Sequence, residues 1–364
     1  MQLRSPFSTA AGLLAGAVLF ACSDNSTPPA PSDLSAVRTS ATPTLTTQNS
    51  GTTNRLQAIS PVNDQVAWAS GVGGTYTITT DGGNTWKAAH VPGAGDLQFR
   101  DVEAQSDKIA YLLAAGPGTA SRIYYTNDGG AHWALQFINQ DPLAFYDCFA
   151  FWGKRRAVTM SDAVNGVFPV IRTLDGQTWN FISNNMPPAQ PGEAAFAASG
   201  TCVATQGELR AWITTGGAAK SRILATTDGG NTWNAYDTPI VQGTPSSGGL
   251  TVAFRDALHG FLGGGELAAG DAFSDNVARS SDGGVTWTLA THAPFRGSIF
   301  GSSYVTGLGV TVVITGPGGA AWSPDEGDTW NLLPGVKNFW AVAFASPKAG
   351  WLVGTGGRIV KVSF

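Results

Sequence analysis

Six copies of one short phrase, of the general form Ser/Thr-x-Asp-Gly-Gly-x-Thr-Trp, recur 43 to 54 residues apart along this chain. An Asp followed by Gly-Gly predicts a tight turn, because the carboxylate accepts hydrogen bonds from nearby N–H groups and Gly adopts positive φ. A repeat of this period that is rich in Gly and Trp is typical of a β-propeller or a solenoid. We therefore interpret the six aspartates as turn-forming residues: Asp81, Asp128, Asp175, Asp228, Asp282 and Asp325.

Two of the six copies depart from the pattern. The third (TLDGQTW, 173–179) is one residue shorter, and the sixth (SPDEGDTW, 323–330) has Glu326 in place of a Gly. We expect both turns to close with altered geometry. The Trp that ends each copy is large and mostly apolar, so we expect it to pack between neighbouring units.

The residues before each phrase also repeat. Units such as 56–83 and 341–364 share an apolar segment, a Ser-Pro turn, a segment containing Trp68 or Trp351 and a Gly-Gly turn. Each of the first six units has four strand-like segments, as in a propeller blade. The last unit ends at Phe364 with three, so we expect the segment TPTLTTQ (42–48) to supply the fourth and close the ring. The predicted fold is all-β: a seven-bladed β-propeller of four-stranded antiparallel blades over residues 42–364.

The N-terminal residues predict export. Arg4 precedes a 12-residue apolar run (10–21), which is too short to span a bilayer and fits a signal peptide. The run ends in Leu-Phe-Ala-Cys, which resembles a bacterial lipobox and implies cleavage before a lipid-modified Cys22. We expect a lipoprotein signal peptide at 1–21, a Ser/Thr/Pro-rich tether at 22–41, and anchoring to the bacterial envelope at the outer membrane or its periplasmic face. An ordinary signal peptide cut elsewhere is the alternative.

Composition narrows the possible chemistry. The formal net charge of −4 gives no basic footprint for nucleic acid. An exported protein can form a disulfide, so Cys148 and Cys202 are either a bridge or two buried thiols. The four histidines are scattered and no Cys/His spacing fits zinc, so we expect neither a metal nor a cofactor.

Propellers bind ligands at the mouth of the central channel, and polar residues at the ends of the inner strands are the candidates. Arg100 with Asp101 and Arg255 with Asp256 both follow a Phe, and we place the two pairs at equivalent positions three blades apart. They either stabilise their blades or form a charged ring that holds a ligand. We take Arg100, Arg255 and Tyr146 as ligand-binding candidates. The candidate catalytic carboxylates are Asp101, Glu103, Asp147, Asp162, Glu193, Asp256 and Glu266.

The repeated phrase resembles bacterial neuraminidase repeats, or Asp-boxes. The longer unit, with segments such as TYTITTDGGNTW (75–86) and GWLVGTGGRIVKV (350–362), is similar to the photosystem II stability/assembly factor family and its bacterial envelope relatives, often labelled oxidoreductase or glycosyl hydrolase. The similarity covers residues 56–364. It implies a propeller that grips membrane-protein partners.

Taken together, these features predict a monomeric, non-catalytic envelope lipoprotein that acts as a binding or assembly scaffold. Its partner would be an envelope or membrane protein, or a glycan. The alternative is a sialidase-like glycoside hydrolase with two carboxylates at the channel mouth. A sialidase would carry an Arg-Ile-Pro phrase before its first blade, where this chain has Arg55-Leu56-Gln57.

Overall fold

The computed structural model describes residues 42–364, and within them the chain forms seven four-stranded sheets, each one blade of a propeller. The predicted fold class is confirmed. Three 3₁₀-helices, Gly118–Ala120, Ser183–Asn185 and Thr355–Gly357, lie in loops. The strands, blade by blade from the channel outward, are β2 (Leu56–Pro61), β3 (Ala67–Gly71), β4 (Thr75–Thr79), β5 (Lys87–His90); β6 (Phe99–Ala104), β7 (Ala110–Ala114), β8 (Arg122–Thr126), β9 (Ala134–Ile138); β10 (Tyr146–Trp152), β11 (Arg156–Ser161), β12 (Val170–Thr173), β13 (Trp179–Phe181); β14 (Val203–Gln206), β15 (Arg210–Thr214), β16 (Arg222–Thr226), β17 (Asn234–Asp237); β18 (Ser247–Phe254), β19 (Gly260–Glu266), β20 (Val277–Ser280), β21 (Thr288–Leu289); β22 (Gly301–Tyr304), β23 (Val312–Gly316), β24 (Gly319–Ser323), β25 (Asn331–Leu332); and β26 (Phe339–Ser346), β27 (Ala349–Gly354), β28 (Arg358–Ser363), β1 (Thr44–Asn49).

Consecutive strands in every blade are antiparallel, which gives the disc two distinct faces. We call the face where the inner strands begin the upper face; it also carries the turns between second and third strands. The lower face carries the turns between first and second strands and the aspartate turns between third and fourth strands. The face on which a loop lies therefore follows from its place in the blade.

The ring closes as the sequence predicts. Strand β1 pairs antiparallel with β28, from Thr44 opposite Ser363 to Asn49 opposite Arg358. From β1, the Gln48 side-chain oxygen accepts hydrogen bonds from the indole N–H groups of Trp86 and Trp351, each 3.0 Å long. The two indoles belong to blades one and seven, so the N-terminal strand joins the first blade to the last.

The aspartate turns share one hydrogen-bond pattern. The Asp81 carboxylate accepts bonds from the Thr85 N–H (2.9 Å), the Thr85 hydroxyl (2.6 Å) and the Thr79 hydroxyl (2.9 Å). Hydrogen bonds from Thr85 lower the pKa of Asp81 to about 2. The five other aspartates accept equivalent bonds within their own turns, which include both atypical copies.

Glu326, the exception in the sixth turn, adopts a left-handed backbone with a φ of 56° where the first turn has Gly82. Its carboxylate accepts hydrogen bonds from Arg255 Nε (2.7 Å) and the Tyr304 hydroxyl (2.8 Å). A non-glycine residue at positive φ costs about 1 kcal/mol. The contacts to blades five and six offset that cost.

Residues 1–41, with the predicted signal peptide, tether and Cys22, lie outside the described residues. Over residues 42–364 there is no helix long and apolar enough to cross a membrane.

Candidate functional site

Residues 195–201, which precede the inner strand of blade four, lie across the central channel, and we call this segment the plug. Arg100 of blade two donates to the Ala197 carbonyl (3.2 Å), and the Ser199 hydroxyl donates to the carbonyl of Phe300 beside blade six (2.5 Å). A Cβ on Gly200, which has a φ of 76°, would come within 2.4 Å of the Asp101 carboxylate. The plug therefore contacts blades two and six as well as its own blade, and cavities lie on both sides of it.

Above the plug, a pocket of about 330 Å³ opens on the upper face. We call it the upper pocket. Its walls are mostly apolar, and its polar groups are the carboxyls of Asp147 and Asp162 and the guanidinium of Arg100. The apolar lining consists of Phe145, Phe196, Leu267, Phe300, Trp340 and the alanines of the plug, Ala195, Ala197 and Ala198.

The carboxyl groups of Asp147 and Asp162 are neighbours in the upper pocket, close enough for the charge of one to affect the pKa of the other. Burial, and then the neighbouring Asp162 charge, raise the pKa of Asp147 well above its usual range. Burial raises the pKa of Asp162 to about 6. The plug helps to hold Asp162 in place, because the Ala195 N–H donates a hydrogen bond to its carboxylate (3.1 Å).

Two arginines lie against aromatic rings at this pocket. The Arg100 guanidinium lies 5.8 Å from the ring centre of Phe145, and that of Arg55 lies 4.5 Å from the ring centre of Trp340. Burial lowers the pKa of Arg100, while the Asp147 charge raises it in part. The pocket thus combines one lining cation, Arg100, with a second, Arg55, behind the Trp340 ring, and with two carboxyl groups whose pKa values are raised.

Below the plug, a second cavity of about 660 Å³, with an adjoining recess of about 220 Å³, opens toward the lower face. We call it the lower cavity. Both parts are lined by Glu103 and by the hydroxyls of Thr201 and Ser303. Burial raises the pKa of Glu103 to about 7. Burial, and then the nearby Glu103 charge, raise that of Asp101, which accepts a hydrogen bond from the Phe149 N–H (2.8 Å).

Glu193, a candidate catalytic acid, lies in a buried ion pair instead of at the channel mouth. Its fully buried carboxylate accepts hydrogen bonds from Arg222 Nε (2.8 Å), Arg222 Nη2, the Thr215 hydroxyl (2.7 Å) and the Gln190 N–H (2.8 Å). Every acceptor direction of this carboxylate is used within blade four and its loops. Glu193 therefore has a structural role, because a charged group inside the fold is stable only when it is paired with an opposite charge.

Two other candidates also differ from expectation. Tyr146 is fully buried, and burial raises the pKa of its hydroxyl, so it is a packing residue. Glu266 lies on the upper face outside the pocket, where it accepts hydrogen bonds from the hydroxyls of Thr244 (2.5 Å) and Ser246.

The expected equivalence of the two Arg-Asp pairs is wrong. Arg100 and Asp101 lie near the beginning of β6, whereas Arg255 and Asp256 follow the end of β18. An inner strand of six residues spans about 20 Å, so the pairs lie on opposite faces. On the lower face, Arg255 bonds to Asp256 (2.6 Å) and Glu326, and Asp256 caps the turn at Leu258 and His259. The two Phe-Arg-Asp tripeptides therefore do not occupy equivalent positions in their blades.

Cys148 and Cys202 form a disulfide, with a Cα–Cα separation of 6.0 Å. Cys148 follows Asp147 in β10, and Cys202 follows the last plug residue. The bridge therefore fixes one end of the plug to the strand that carries the carboxyl pair. This settles the alternative that the sequence left open.

Sequence reasoning found Arg100, Asp147 and Asp162 but missed Arg55, Trp340 and the plug as parts of one site. The sequence did contain a signal for the plug: the 192–200 segment (GEAAFAASG) is rich in the small residues that a segment crossing the narrow channel needs. No group of three or more His, Cys, Asp or Glu side chains that could hold a metal is found within 42–364.

The sequence matches no protein-family model and no curated protein. Its fold is similar to that of a solved structure described as YCF48 bound to D1 peptide, with a TM-score of 0.62, 17% identity, and 89% of this chain and 96% of that chain covered. YCF48 from Cyanidioschyzon merolae is similar with a TM-score of 0.61 and 15% identity, over 88% of this chain and 98% of that chain. The WD40 β-propeller domain of Doa1 is similar with a TM-score of 0.56 and 12% identity, over 87% of this chain and 95% of that chain. At these identities the likeness establishes the β-propeller fold alone.

Proposed function

We propose that this protein is an exported, lipid-anchored propeller that binds a segment of an envelope protein in the upper pocket and performs no chemistry on it. The observation that carries the proposal is the pocket itself. It is concave, closed beneath by the plug and mostly apolar, and Arg100 lines it with its guanidinium against the ring of Phe145. A few oriented polar groups in an apolar cleft are typical of a binding site.

The carboxyl groups that lie together support binding over hydrolysis. A two-carboxylate glycosidase holds its acids about 5–10 Å apart, with the scissile bond or a water between them. Asp147 and Asp162 both line the upper pocket, and the Asp162 charge raises the pKa of Asp147, as expected of an adjacent pair rather than of two carboxylates that flank a bond. In the second adjacent pair, burial raises the pKa of Asp101 well above its usual range and that of Glu103 to about 7, which favours the protonated form of both over an ionised nucleophile.

The structural neighbours support a peptide as the class of ligand. One solved propeller of similar fold, YCF48, is described as bound to a D1 peptide. A peptide segment suits the pocket chemistry here, because the aromatic walls accommodate an apolar side chain while Arg100 donates to the oxygen atoms of the peptide.

Site-specific photo-crosslinking in intact cells tests the proposal. Leu267 lines the upper pocket and is 38% exposed, whereas Leu209 is 44% exposed in a turn of the lower face. We place benzoylphenylalanine at each position in turn. The proposal expects one stoichiometric envelope protein to be captured from position 267 and not from position 209.

Variants of charged residues sharpen this test. Arg100→Gln should reduce the yield at position 267, whereas Arg155→Gln, at an exposed position on the opposite face, should leave it unchanged. Capture only from position 209, or no capture from either position, would refute the proposal and justify a glycan screen for the hydrolase alternative.

The anchor is tested separately. Palmitate supplied to cells should label the wild-type protein and not Cys22→Ser. Labelling of the variant, or none of the wild type, would show that export does not end in lipid modification at Cys22.

A further inference from the structure

We propose that the lower cavity is a second binding site, separate from the upper pocket, and that its ligand is a small organic amine whose ammonium group is held by Glu103. The cavity is large enough for a small molecule, since ligand pockets are about 300–1,000 Å³. The plug separates it from the upper pocket. It opens to the lower face between blades five, six and seven, where Arg255, Gly307 and Phe344 line it.

The polar wall of the cavity offers acceptors and few donors. The hydroxyls of Thr205, Ser303 and Thr306 each donate their proton to a backbone carbonyl, at Phe151 (2.8 Å), Tyr304 (3.0 Å) and Phe344 (2.9 Å). Only the lone pairs of these oxygens remain for a guest. An ammonium group carries donors and no acceptor, so it matches this wall, whereas an anion or a carbonyl does not.

Glu103 supplies the charge for such a guest. No side chain or backbone group within residues 42–364 donates a hydrogen bond to its carboxyl, although it lines both parts of the cavity. A carboxyl in that position is stabilised by a partner that brings both donors and positive charge. The apolar part of the wall, with Val252, Val305 and Phe344, leaves room for a short hydrocarbon chain.

The other charged and titratable groups around Glu103 do not replace that partner. Asp101, on the same strand, is buried and its pKa is raised further by the Glu103 charge. Arg255 is already bonded to Glu326 and Asp256. The Tyr304 hydroxyl donates to Glu326.

Calorimetry with n-butylamine tests the proposal on the full-length protein, and 1-butanol is the neutral control of the same size. With a pKa of about 7, Glu103 is about 90% protonated at pH 6, so capture of the amine should release about 0.9 proton. Comparing two buffers with different ionisation enthalpies measures that number. The amine should also bind about tenfold more tightly at pH 8 than at pH 6, because it no longer displaces a proton.

Variants complete the test. Glu103→Gln should abolish the proton release and weaken amine binding by about tenfold or more, whereas Glu208→Gln, an exposed acid on the same face, should change neither. Equal binding of butanol and butylamine by the wild type, or equal butylamine binding by the wild type and Glu103→Gln, would overturn the proposal. The comparison of butylamine with butanol needs no variant, so it decides the matter even if Glu103→Gln folds poorly. The photo-crosslinking result at the upper pocket is independent of either outcome.

Discussion

Replacing Glu193 by Ala should destabilise the protein strongly, and the size of the loss follows from its surroundings. The carboxylate is fully buried and accepts four hydrogen bonds, two of them from Arg222, whose side chain is 12% exposed. Removing one member of a buried ion pair leaves the other charge without a partner and typically costs about 3–5 kcal/mol. The sequence alone had placed Glu193 among the candidate catalytic carboxylates, not among the residues that stabilise the fold.

Urea denaturation monitored by tryptophan fluorescence measures this effect. With an m-value of about 3 kcal/mol per molar urea, a loss of 3–5 kcal/mol lowers the midpoint by about 1–1.7 M. Glu208→Ala, at an exposed position in the turn between β14 and β15, should stay within about 0.5 kcal/mol of wild type. Adding Arg222→Ala to Glu193→Ala should cost less than the sum of the two single changes. A midpoint shift below about 0.3 M for Glu193→Ala, which is under about 1 kcal/mol, would refute the structural role.

Four further predictions concern other parts of the fold. Gln48→Leu leaves two indole N–H groups without their acceptor and should cost about 2–4 kcal/mol, measured by urea denaturation; a loss below 1 kcal/mol would contradict the closure described above. Cys148→Ser opens a bridge with a sequence separation of 54 residues and should cost up to about 4 kcal/mol, whereas adding reductant to that variant should change nothing more. Asp228→Ala should cost about 1–2 kcal/mol and leave crosslinking at the upper pocket intact, which the same photo-crosslinking assay checks. Because the pKa of Asp162 rises to about 6 on folding, the native state binds the extra proton, so the free energy of unfolding should fall from pH 4 to pH 6. Asp147→Asn removes the second carboxyl whose pKa is raised by burial and should therefore reduce that slope; an unchanged slope in denaturation curves would show that Asp147 takes up no proton on folding.

The sequence predicted the parts of the fold that depend on local chemistry. The six aspartate phrases predicted six turns because every bond such a turn needs comes from residues within the phrase. The missing fourth strand of the last blade predicted ring closure, because an unpaired outer edge of a sheet is unfavourable, and the segment at 42–48, just upstream of the first blade, was the natural donor. Strand β1 confirmed that prediction.

The same local reasoning failed where one short phrase occurs at two places in the blade. Phe-Arg-Asp begins β6 but ends β18, and no pattern of three residues records which end of a strand it occupies. Glu193 likewise looked like one more acid at the mouth, and only Arg222, 29 residues away in sequence, makes it part of the core.

What the sequence by itself determined is the repeating architecture, because turns and strand edges are satisfied by neighbours along the chain. What only the tertiary structure decided is the site. Asp147, Asp162, Arg100 and Trp340 come from three different blades, and the plug that positions them crosses a channel that exists only once the ring has closed. The pKa values of the acids depend on that burial, which no local pattern encodes.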